Sequence, residues 1–201
     1  VRDTHRNQGI GALLTQALVE HGQSCGCDSI LLVATELGQP VYEKIGFQTI
    51  ECYIFLRAAV PLLEAPPSLH ISRLTNKDWE HVVALDREAA GEDRTLLLSK
   101  YFEGGVGWFQ EGALEGFWLP SFGDGLIVAK TTRAGIGLLQ HKHTRPFATT
   151  SAILPESNKS AIDWLIGMGF EPARVAPRMY LGPPLQWCPT MIYSRISGYL
   201  G

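Results

Sequence analysis

Arg6-Asn7-Gln8-Gly9-Ile10-Gly11-Ala12 sets two glycines and an arginine directly ahead of an apolar helical pattern. Ile10, Leu13, Leu14, Ala17 and Leu18 recur at helical spacing, so the glycines stand where a helix begins. The first backbone N–H groups of a helix lack acceptors, and the positive end of the helix dipole adds to them. Such a turn holds a pyrophosphate without needing a lysine. Gly9 and Gly11 allow close backbone approach, and Arg6 adds charge at the rim. Glycines that merely make a turn would look the same in isolation. What distinguishes this stretch is its sequel, Tyr42-Glu43-Lys44-Ile45-Gly46-Phe47, which offers a phenol just before a helix-stopping glycine.

The elements between these two stretches are readable. The first helix ends near His21-Gly22, and Ser29 to Ala34 is a buried-strand run. A short helix from Gln39 to Ile45 is stopped by Gly46, and a strand runs from Phe47 to Arg57. This order resembles the GNAT superfamily of acyl-CoA-dependent N-acetyltransferases. The family's Arg/Gln-x-x-Gly-x-Gly/Ala signature matches at Arg6, Gly9 and Gly11, and its Tyr-x-x-x-Gly-Phe signature at Tyr42, Gly46 and Phe47. One departure is Thr35, where an asparagine often opens the second motif.

The resemblance implies an acetyl-CoA-dependent N-acetyltransferase acting on a primary amine. Acetyl-CoA would be the co-substrate, gripped by Val1, Arg6, Asn7, Gln8, Gly9, Ile10, Gly11 and Ala12. Tyr42 would be the general acid. A thiol titrates near 8.5 and a phenol near 10, so a well-placed phenol can protonate the departing thiolate. The alternative for Tyr42 is ring packing alone. The general base, which the family draws from strands ahead of the phosphate turn, is not named. Asp3 and Glu36 read as loop and turn residues.

Val1 fills the place of a central-strand valine of the family, and the strands before it do not appear in the chain. The expectation is a first unit that is incomplete or completed by another chain. A bare strand edge must be covered, either by the second unit's sheet or by pairing of two chains into a homodimer.

The second half repeats the layout. Gly135-Ile136-Gly137-Leu138-Leu139 mirrors Gly9 to Leu13, and Asn158 to Gly169-Phe170 mirrors the approach to Gly46-Phe47. Thr132 stands where Arg6 should recur, with Arg133 one place off, and Leu165 stands where Tyr42 should. This copy therefore reads as degenerate. Between the copies, Val106 to Ala129 suits antiparallel strands. The expected fold is α/β (α+β), with two GNAT-like units of mixed, largely antiparallel sheets flanked by helices. The expected divisions are 1–58 for the first, 59–68 for a proline-bearing linker and 69–201 for the second.

Composition excludes several classes. The chain of 201 residues is 45% apolar and 18% charged, which suits a globular protein with a real core. A net charge of −3 without a lysine-rich stripe argues against nucleic acid. No apolar run is long enough for a membrane span, and no signal peptide is read. Cys25, Cys27, Cys52 and Cys188 lack the spacing of a zinc site, so no metal is expected. Free thiols in a reducing cytoplasm are the reading.

His141-Lys142-His143 reads as a solvated helix end, because imidazoles two apart on a helix diverge. Trp108, Phe109, Phe117 and Trp118 read as sheet-face core, and no nucleophile elbow supports a hydrolase triad. The rival function is a non-catalytic acyl-CoA-binding or protein-interaction module, separated from the enzyme by release of free thiol with an amine.

Overall fold

The computed structural model describes residues 2–5, 8–66, 68–145 and 148–197. Among the described residues, six α-helices run in chain order: α1 Ile10–Ser24, α2 Gln39–Ile45, α3 Trp79–Ala90, α4 Thr95–Tyr101, α5 Thr132–His143 and α6 Lys159–Gly167. The strands are β1 Ile30–Val33, β2 Gln48–Ala58, β3 Ile71–Arg73, β4 Val106–Gln110, β5 Ala113–Leu119, β6 Leu126–Ala129, β7 Ser151–Pro155, β8 Phe170–Leu181 and β9 Ile192–Ser194. This is an α/β fold of antiparallel strands flanked by helices, as the sequence led one to expect.

Two compact units divide the chain. One comprises 1–52, 176–184 and 198–201, and the other 53–175 and 185–197. The sequence placed its break at residues 59–68. Among the described residues, the first unit is instead closed by a return of the chain through 176–184. Both β2 and β8 are long strands with residues in each unit, which is why no linker marks the division.

In the first unit, Gly9 begins α1 in the left-handed region, at φ 74°. α2 starts with Pro40 in its first turn and ends at Gly46, where the N–H groups of Gly46 and Phe47 return to Glu43 and Tyr42. β1 pairs antiparallel with the end of β8, Ile30 opposite Leu181 and Val33 opposite Arg178. Val19, Ala34, Phe47 and Met179 form a small buried core, with Tyr42 packed at its side.

The face of α1 that reads as apolar is not the buried one. Leu13, Leu14 and Leu18 are 71%, 58% and 69% exposed, while Val19 is buried. Among the described residues, nothing covers that stripe.

The second unit is built on a five-stranded antiparallel sheet in the order β3-β4-β5-β6-β9. Alternation along its strands feeds two cores. Phe117, Leu119, Leu126 and Val128 point to α3 and α4, meeting Val82, Leu85, Ala89 and Leu98. Trp118, Ile127 and Ala129 point the other way, to Ala134, Leu138 and Leu139 of α5 and Leu165 of α6. With both faces covered, β6 reads as an unbroken apolar run, Leu-Ile-Val-Ala, buried throughout.

Candidate functional site

Backbone geometry at the start of α1 presents a bare helix end. Gly9 is exposed and open: a Cβ placed on it would meet nothing within 4 Å. Among the described residues no side chain caps the helix, and the first helical bond runs from Leu13 N–H to Gly9 O at 3.0 Å. The N–H groups of Ile10, Gly11 and Ala12 precede that bond and have no helical acceptor. Gln8 is exposed, and Ile10, Gly11 and Ala12 are half-buried. Val1, Arg6 and Asn7, the other residues expected to grip a cofactor, lie outside the described residues.

α2 packs against α1 in the same unit and carries Tyr42. The Tyr42 ring is half-buried, tilted against Phe47 with centroids 5.9 Å apart. Gly38 makes room for it, since a Cβ there would lie 2.9 Å from Tyr42 Cε2. Thr35, the departure from the second motif, is engaged in the turn into α2: its Oγ1 accepts the Gly38 N–H at 3.1 Å.

The second glycine pair is used differently. A Cβ on Gly135 would lie 2.1 Å from Tyr193 Cζ, and one on Gly137 would lie 1.9 Å from Trp108 Cζ3. Both glycines are seats for aromatic rings. The end of α5 is also occupied: Thr131 caps it by accepting from Ala134 N–H at 3.3 Å, and the Thr131 hydroxyl donates to Glu115 Oε2 at 2.8 Å. A carboxylate therefore stands near the positive end of this helix. Arg133, the arginine out of register, donates to His70 Nε2 at 3.1 Å.

β9 adds to the contrast. It pairs with β6, and Arg195 N–H just beyond it donates to Ile153 O of β7 at 3.1 Å. Asn158 holds the same segment through Nδ2 to Thr190 O and Ile192 O, and caps α6 through its Oδ1. At three residues, Ile-Tyr-Ser, β9 is too short to carry a strand period.

The end of α5 corrects the sequence reading. His141-Lys142-His143 is not a solvated terminus: Lys142 and His143 are buried, and His141 sits edge-on to Trp118. Burial lowers the Lys142 ammonium to about 8, partly offset by Asp124. Burial, helped by Lys142, lowers His143 to about 4. The signal was in the spacing. Ala134, Leu138 and Lys142 are four apart, as are Gly135, Leu139 and His143, so both polar residues continue buried stripes. Among the described residues, no three His, Cys, Asp or Glu side chains gather as a metal site. No described helix is long and apolar enough to cross a membrane.

Residues 1–47 match the family model of the acetyltransferase (GNAT) family. No curated protein sequence matches the chain. A candidate acetyltransferase from Pyrococcus horikoshii is similar over 100% of this chain and 69% of its own, with a TM-score of 0.80 and 24% identity. A GCN5-related N-acetyltransferase from Sphaerobacter thermophilus is similar over 94% of this chain and 74% of its own, at TM-score 0.60 and 14% identity. Another, from Kribbella flavida, is similar over 90% and 49%, at 0.53 and 18%. The chain thus has the fold of GNAT acetyltransferases.

Proposed function

We propose that this chain is the cofactor-gripping part of an acetyl-CoA-dependent N-acetyltransferase that acts on a primary amine. The observation that carries this reading is the open amino end of α1 behind Gly9, uncapped among the described residues. It lies within the stretch matched by the family model. The N–H groups of Ile10, Gly11 and Ala12 bind the pyrophosphate, with Gln8, Asn7, Arg6 and Val1 completing the grip. The acceptor amine attacks the thioester carbonyl. A C–N bond forms and the C–S bond breaks; the amine's proton passes to solvent, and Tyr42 protonates the departing thiolate and regains its own proton from solvent. The second unit is a degenerate copy whose glycines seat Tyr193 and Trp108.

Calorimetric titration of acetyl-CoA into the parent and two variants tests the site. Gly11→Val puts a branched side chain where the pyrophosphate approaches, and affinity should fall at least tenfold. Gly137→Val should leave the affinity of the folded protein unchanged. Loss in Gly137→Val with none in Gly11→Val overturns the assignment.

A second reading, a non-catalytic acyl-CoA-binding or interaction module, is favoured by the exposed Leu13, Leu14 and Leu18 on the same helix. Amine-dependent release of free thiol separates the two, since only the enzyme produces it.

A further inference from the structure

The constellation at the end of α5 gathers hydrogen-bond donors without acceptors to meet them. A cavity of about 310 Å³ in the second unit is lined by Trp118, Gly125, Lys142, Arg145, Thr149 and Ser151, among others. Trp118 is 2% exposed, and among the described residues its Nε1 has no hydrogen-bond partner. A Cβ placed on Gly125 would lie 2.9 Å from that Nε1 and 3.6 Å from Lys142 Nζ. Gly125 thus packs against both donors: the indole N–H is shielded at the cavity wall, and Lys142 is among the residues that line it.

Lys142 Nζ donates to Asp124 O at 2.5 Å and to Ser194 Oγ at 2.7 Å, so one of its three protons remains. The Arg145 guanidinium lies 4.4 Å over the Trp118 ring, and its side chain is exposed at the edge of the cavity. Asp124 is the carboxylate in the lining, and Arg195 Nε already donates to it at 3.3 Å. Two cations are left over. Although burial lowers Lys142, it stays protonated at neutral pH.

We infer that this cavity is a binding site for a small oxyanion, a phosphate or carboxylate group held by Lys142 and Arg145, with the Trp118 indole in the wall beside them. Buried donors without acceptors are costly, and an acceptor-rich ligand is the chemistry that satisfies them. A cation is excluded by sign. A neutral ligand leaves the ammonium and the guanidinium unmatched. The planar edge of Arg145 suits two oxygens of one group, and the ammonium supplies a point charge opposite. None of these residues belongs to the amino end of α1, so the site stands whether or not the acetyl-transfer reading does.

The indole N–H resonance of Trp118, assigned with Trp118→Phe, is the probe. Inorganic phosphate and acetate are titrated separately into the full chain at constant ionic strength set with chloride. A saturable downfield shift is expected with one or both. Saturation by phosphate alone identifies a phosphate ligand, and saturation by acetate identifies a carboxylate. Arg145→Gln, at an exposed position that does not threaten folding, should weaken binding about tenfold. Lys142→Met should abolish it while far-ultraviolet dichroism stays native. A resonance that fails to move, or that moves linearly with chloride as well, overturns the site. So does an Arg145→Gln variant that binds as the parent does.

Discussion

Replacing Tyr42 by phenylalanine removes one oxygen and leaves the ring against Phe47 and over Gly38. If the hydroxyl is the general acid, turnover should fall roughly 10²–10⁴-fold while acetyl-CoA affinity holds. Steady-state kinetics beside calorimetry checks this, and a variant within about threefold of the parent reduces Tyr42 to packing. His143 makes a prediction of another kind. Its Nδ1–H donates to Thr149 O at 3.0 Å, and Nε2 is buried beside Phe170 with no partner among the described residues. Protonating Nε2 would put an unmet charge in the core, which is why the folded ring titrates near 4 against an ordinary 6.5. Above pH 6.5 the ring is neutral in both states and stability is indifferent to it. From 6.5 down to 4 only the unfolded chain takes the proton, so stability falls, by about 3 kcal/mol in all, and levels off below 4. Chemical denaturation across that range should show the loss, and His143→Gln, which still donates but does not titrate, should flatten it. The short helix around Tyr42 and its stop at Gly46 were legible because that motif is local. The burial of Lys142 and His143 runs against their residue types and follows only from their place on a buried helical stripe.

At the scale of elements, the two glycine pairs look alike in sequence and differ in what faces them. Gly137→Ala forces a methyl into the Trp108 ring and should destabilise the second unit by roughly 1–3 kcal/mol, read from denaturant midpoints. A midpoint equal to the parent's would mean the ring moves aside at little cost. The exposed stripe of α1 behaves oppositely. Leu14→Lys with Leu18→Glu places charges on side chains that already face solvent, so stability should change by less than about 0.5 kcal/mol. If the stripe is sticky, light scattering should show less self-association in this variant at equal concentration. Helices and most strands were legible, because Leu-Ile-Val-Ala in β6 and Phe-Trp-Leu in β5 are apolar runs buried on both faces of the sheet. Sequence periodicity identified α1 as a helix but not which face it buries. That depends on what packs there, and Val19 rather than the leucine stripe meets the core. β9 was missed because three residues carry no period.

The whole molecule is divided by a pattern that no linker announces. The described partner of β1 comes from the far end of the chain, through the register Ile30–Leu181 to Val33–Arg178. Ala34 N–H likewise donates to Pro177 O at 2.8 Å, and Ser29 Oγ donates to Pro183 O at 2.5 Å. Gly182 lies so close that a Cβ on it would meet Asp28 O at 2.1 Å. Composition and turn residues place a break near 59–68, yet such non-local pairing leaves no mark in the sequence between its partners. It follows that the first unit depends on residues more than a hundred positions away from its glycine turn. Met179 tests that dependence. It is fully buried with Val19, Ala34 and Phe47, and truncation to alanine should cost about 2–5 kcal/mol. If each unit opens on its own, the amides of Ile30 to Val33 should exchange faster in Met179→Ala while those of Leu126 to Ala129 keep their protection. The reciprocal change, Leu165→Ala in the second core, should speed exchange at Leu126 to Ala129 first. Hydrogen exchange followed by mass spectrometry resolves both peptides. Equal acceleration in both peptides by either variant would show that the chain opens as one cooperative block.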